Sequence, residues 1–87
     1  MKETFFSFLI GKTIYHRDSF YSGSTEFQIS SVEDCEDSIR VRPQREGHWG
    51  IFIPKKHLGE ILTSGNYSYS YIIEGCSCRE EWIMSDK

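Results

Sequence analysis

Cysteine is scarce in this chain and odd in number: Cys35, Cys76 and Cys78 are all there is. A disulfide framework needs an even set, so the thiols read as reduced and the chain as cytoplasmic. Cys76 and Cys78 are separated by one residue. That excludes the redox Cys-x-x-Cys motif and departs from the two-to-four-residue spacing of structural zinc pairs, so no metal is expected. Long hydrophobic runs are missing too. Phe5–Ile10 is too short for a membrane span and has neither the basic flank nor the cleavage site of a leader, so no membrane contact is expected. A glycine-rich phosphate loop is absent: Gly11-Lys12-Thr13 resembles the end of one, but the upstream glycine is lacking and the segment leads into a β-prone stretch. No serine sits in a nucleophile-elbow pattern, and no cysteine shows a nearby base. His16, His48 and His57 stand singly. The expectation is a protein that is not an enzyme and uses no cofactor. Asn66-Tyr67-Ser68 fits a glycosylation acceptor, without consequence in a cytoplasmic chain. A basic excess is lacking as well: 10 Lys+Arg stand against 13 Asp+Glu, for a net charge of -3. Broad non-specific nucleic-acid binding is thereby disfavoured, and any such contact must be local.

What the chain does have is charge sorted into blocks. Glu26, Glu33, Asp34, Glu36 and Asp37 fall between positions 26 and 37 with no basic residue among them. Arg40, Arg42, Arg45, Lys55 and Lys56 then fall between positions 40 and 57 against one acid, Glu46. The basic block also carries His48, Trp49, Phe52 and His57. It has more local charge than the chain average can explain, and suits an anionic partner.

The 87 residues make one domain, spanning positions 1–87. A chain of this size buries about 60–65% of its unfolded surface and is stable by roughly 4–13 kcal/mol. Aromatics, at 15% of residues, supply area to a small core. Phe5, Phe6, Leu9 and Ile10 recur at helical spacing before Gly11 and predict a short helix over Lys2–Ile10. Alternation predicts a strand over Glu26–Val32, an acidic turn over Glu33–Asp37, and a strand over Ser38–Arg42 that Pro43 ends. Gln44–His48 reads as a hairpin loop. Trp49–Ile53 reads as a strand with Trp49, Ile51 and Ile53 on one side and Phe52 on the other. Pro54 suits a helix start, Leu58, Ile61 and Leu62 form an apolar stripe, and Gly65 suits a helix end. Tyr67–Ile73 and Arg79–Met84 read as strands joined by a turn over Gly75–Ser77. The sum is a small α+β domain: an antiparallel, meander-like sheet of about five to six strands, an N-terminal helix, and one helix packed on the sheet.

Three surfaces emerge. If Ile39 and Val41 point inward, the two-residue period sends Arg40 and Arg42 outward together. With Arg45, Lys55, Lys56 and an exposed Trp49 or Phe52, they would hold an anionic partner such as nucleic acid through phosphate contacts and stacking. The plain alternative is a solvated strand face that keeps a sheet edge soluble. Glu33, Asp34, Glu36 and Asp37 form the second surface, too irregular for a calcium loop but suited to blocking a basic partner. Tyr67, Tyr69 and Tyr71 share one strand face, as core lining or as a protein contact. The expectation is therefore a small non-enzymatic binding protein using its basic, aromatic hairpin to hold an anionic partner. The alternative is a small acidic inhibitor or immunity-type protein of phage or mobile-element kind, acting through the acidic turn and the tyrosine strand. A third reading is a homodimer formed through the tyrosine face.

Overall fold

A computed structural model describes residues 5–21 and 23–86. In chain order it contains a single 3-10 turn (Ser7–Leu9), then β1 (Thr13–Asp18), β2 (Ser24–Gln28), β3 (Ser31–Cys35), β4 (Ser38–Arg42), β5 (Ile51–Pro54), α1 (Lys55–Ser64), β6 (Asn66–Ile73) and β7 (Cys76–Ser85). The strands form two antiparallel sheets, one ordered β2-β1-β7-β6 and the other β3-β4-β5. This is the expected α+β class, but with two sheets in place of one meander, and with seven strands among the described residues.

Several local expectations are corrected. The N-terminal helix is a 3-10 turn over Ser7–Leu9; positions 2–4 of the expected helix lie outside the described residues. Only Leu9 of that turn is buried, so its two apolar neighbours, Phe8 and Ile10, have no second face to cover. The expected strand over Glu26–Val32 is two strands. The Ile29 N–H donates to Lys12 O at 2.8 Å, completing the first sheet, while the Ser30 N–H donates to Arg42 O at 2.7 Å, beginning the second. The acidic segment is mostly strand, with Cys35 opposite Ser38, so only Glu36 and Asp37 remain to turn the chain. The last hairpin turns at Glu74 and Gly75, not over Gly75–Ser77. Both have positive φ (49° and 80°), as a two-residue type I′ hairpin loop requires.

Period-two burial puts Ile39 and Val41 of β4, and Ile51 and Ile53 of β5, on the inner side of the second sheet. Ile14 of β1 and Trp82 and Met84 of β7 form the inner side of the first. Leu58 and Ile61 of α1 close the core between them. Fully burying each such aliphatic side chain is worth about 1.5–3 kcal/mol. Helix α1 stops at Gly65, whose left-handed conformation (φ 81°) lets its N–H bond Ile61 O at 2.8 Å. Trp82 is wholly buried and donates its indole N–H to Phe52 O at 3.2 Å, so one side chain stitches the two sheets together. No helix among the described residues is long and apolar enough to cross a membrane.

Candidate functional site

The outer face of the second sheet is set by register. Glu33 of β3 lies opposite Arg40 of β4, and Arg40 lies opposite Phe52 of β5. Glu33 and Asp34 of the acidic block and Arg40 and Arg42 of the basic block therefore lie on the two strands of one hairpin. Arg40 and Arg42 do point outward together, but both guanidiniums reach one carboxylate oxygen of Glu33, at 2.6 Å and 3.3 Å. Arg40 also lies over the Phe52 ring, 5.6 Å from its centre. Lys55, at the start of α1, pairs with Asp34 at 2.6 Å and lies over the Phe6 ring at 5.6 Å. Such half-exposed pairs add about 0–1 kcal/mol each to stability. Their larger effect is on the field, because Glu33 and Asp34 cancel much of the charge that Arg40, Arg42 and Lys55 would offer a ligand. Arg45 and Lys56 have no ion-pair partner among the described residues.

Gly50 determines where Trp49 goes. Strand parity puts Trp49 on the same side as Ile51, in the core, yet its side is 79% exposed. The chain bends at Gly50 (φ 83°), where a Cβ would lie 2.3 Å from Val41 O, so only glycine fits against β4. The bend resets the alternation ahead of β5, which begins at Ile51. Phe52 follows on the outer face at 48% exposure, so both rings are available. Beside them the β4–β5 loop forms an open groove of about 390 Å³ lined by Arg42, Arg45, Glu46 and His48.

The tyrosine strand is placed differently. Tyr67, Tyr69 and Tyr71 alternate toward the inner side of the first sheet, where Tyr67 and Tyr69 pack on Trp82 and are half-buried. His57 stacks on Tyr67, ring centres 4.5 Å apart, and lies tilted against Tyr69 at 5.2 Å. The Tyr69 hydroxyl donates to Glu80 at 2.6 Å, and His16 bonds the other Glu80 oxygen at 2.7 Å. Tyr71 donates to Asp18. Burial, followed by the bond to Glu80, pushes the Tyr69 phenol up to about 12. The bond to Asp18 raises Tyr71 as well. Burial and the neighbouring Lys56 hold His57 below the usual histidine range, against the opposing pull of Glu80. Two of the three phenols are thus hydrogen-bonded within the protein.

His16, Asp18 and Glu80 did not stand out in the sequence. One signal was there: Cys78, Glu80, Trp82 and Met84 share one parity along β7, which places a carboxylate on the inward side of a strand. Glu36 and Asp37 remain exposed at their turn. The Asp37 carbonyl accepts the Lys55 N–H at 2.9 Å, tying that turn to the start of α1. There an open groove of about 560 Å³ is lined by Glu36, Asp37, Lys55, Lys56, His57 and Tyr69, with charges of both signs. Cys35 is half-buried, Cys76 exposed and Cys78 buried, and no metal-binding group of His, Cys, Asp or Glu occurs among the described residues. Compared with known protein families, curated proteins and solved structures, the chain matches none.

Proposed function

We propose that this chain is a non-enzymatic binding module that holds a protein partner against the outer face of the β3-β4-β5 sheet and the adjoining β4–β5 loop. The observation that carries this reading is the outward Trp49, 79% exposed, with Phe52 and Arg45 close by in sequence. Tryptophan, aromatic and arginine side chains dominate binding energy when a partner desolvates them. A phosphate backbone is the weaker candidate. To reach Arg40 and Arg42 it would have to displace Glu33, and the whole chain repels it with a net charge of -3.

The test is capture from the native cell by tagged wild type and by Trp49→Ala/Phe52→Ala, each with and without nuclease. The expected result is a partner that survives nuclease and is lost with the double variant. A partner that nuclease releases would overturn the reading.

A second reading, an anionic partner such as nucleic acid, rests on the loop groove where Arg45 is unpaired. Salt titration counts its contacts, since affinity falls with a log–log slope of roughly 0.7–0.9 per phosphate. Contacts from Arg42 and Arg45 alone predict a slope of about 1.4–1.8; the full set with Arg40, Lys55 and Lys56 predicts about 3.5–4.5. The inhibitor reading is best supported at the exposed Glu36 and Asp37, since Glu33 and Asp34 already pair with Arg40, Arg42 and Lys55.

A further inference from the structure

Among the described residues, one edge of the first sheet carries none of the usual guards. β6 lies at its margin, and along its eight residues (Asn66–Ile73) there is no charged side chain and no proline. Its backbone groups facing away from β7 make no other backbone bond among the described residues. The remaining edges are guarded. β2 carries Glu26, β3 carries Glu33 and Asp34, and β5 is four residues long and ends in proline. Charge, proline and shortness are the usual devices that keep edges from pairing, and β6 has none of them. Its far end also exposes Ile72 (77%) and Ile73 (37%).

We infer that β6 pairs antiparallel with β6 of a second copy of this chain, joining two four-stranded sheets into one. The occupant follows from the strand's own composition. A like-charged edge would repel its copy, whereas this one does not. The two-fold axis of such a pair runs perpendicular to the sheet, so inner side chains meet inner ones and outer meet outer. Opposed residues must therefore have numbers of the same parity, which places either Tyr69 or Ser70 opposite its own counterpart. The Ser70 register is preferred because it uses both isoleucines. Ile73 then faces Tyr67 of the second copy and Ile72 faces Ser68, while Tyr69 faces Tyr71. Aromatic and β-branched neighbours of this kind are the favourable cross-strand pairs. This edge belongs to the other sheet from the proposed partner face, and the two ideas stand or fall separately.

Sedimentation of the wild type over a range of concentrations tests the association, and a cysteine tests the register. With Cys35 and Cys76 changed to Ser, Ser70→Cys should link to its counterpart under mild oxidation. Opposed Cα atoms in an antiparallel pair lie about 4.5–5.5 Å apart, within disulfide reach. Ser24→Cys, on the far edge strand, should not link. Ile72→Lys should weaken the dimer by about tenfold or more, as one buried apolar contact is replaced by a charge. A wild type that stays monomeric overturns the inference. So does a dimer that forms no Ser70 link or ignores Ile72→Lys, since its contact would lie elsewhere, at Trp49 and Phe52 for instance.

Discussion

Replacing Gly50 by alanine should unfasten the second sheet. The new Cβ would lie 2.3 Å from Val41 O and 2.9 Å from Arg42 Cγ. The first of these atoms is backbone of the neighbouring strand, so relief requires β4 and β5 to move apart. The residue must also hold φ at 83°, which costs an L-residue roughly 1–2 kcal/mol. Overpacking against a fixed neighbour adds about 1–3 kcal/mol. The sum, about 2–5 kcal/mol, is a large part of the roughly 4–13 kcal/mol available to a domain of this length. With a urea slope of about 1 kcal/mol per molar, the unfolding midpoint should fall by about 2 M or more. Gly59→Ala is the matched control. That glycine lies inside α1 with no heavy atom within 4 Å of the added Cβ, so the substitution should stabilise by about 0.5–1 kcal/mol. Urea titration of the two variants beside the wild type therefore reads opposite signs from one chemical change. A Gly50→Ala midpoint within about 0.5 M of the wild type would refute the packing described for this bend.

Glu33→Gln should change stability by less than about 1 kcal/mol while freeing Arg40 and Arg42. Single-stranded oligonucleotide should then bind more tightly and with a steeper salt dependence, measured by fluorescence anisotropy. Trp82→Phe removes the indole donor and leaves Phe52 O without that partner, at a cost of about 1–3 kcal/mol, to be read from denaturant midpoints. The His57 proton is held less tightly in the folded chain than at its ordinary value of 6.5, so the unfolded state binds more protons at acid pH. Its contribution is complete above pH 6.5 and is lost as pH falls through that value toward the lower folded one. Wild-type urea midpoints should decline between about pH 7.5 and 5.5, and His57→Gln should show a shallower decline.

Burial parity in β4 and in the Ile51–Ile53 part of β5, the shared side of Tyr67, Tyr69 and Tyr71, and the stop at Gly65 were legible in the sequence, because period and capping are local properties. The pairing of Glu33 with Arg40 was not. It depends on a two-residue turn at Glu36 and Asp37 that has no glycine to announce it, and acidic residues are poor indicators of a strand. The switch of sheets at Ile29 carried one faint mark: the apolar parity changes from Phe27 and Ile29 to Val32 across Ser30-Ser31, with no glycine or proline to flag the break. Trp49 was misplaced for the converse reason. Gly50 looked like an ordinary member of a strand, and only the approach of β4 shows that it bends the chain. The candidate site inherits both errors: Glu33 and Asp34, which pair with Arg40, Arg42 and Lys55, were assigned to a turn, and Trp49 to the core side.

The order in which this sheet is assembled differs from the order in which it is synthesised. β7 is the last of the seven strands among the described residues, yet it sits between β1 and β6 and brings Trp82 with it. While the ribosome is still translating it, β1 has only β2 to pair with, and β6 has no strand beside it. The three-stranded sheet, whose hairpins are consecutive, can close earlier. A nascent chain halted before position 76 should therefore recruit holdase chaperones, and release from them should follow the emergence of one strand.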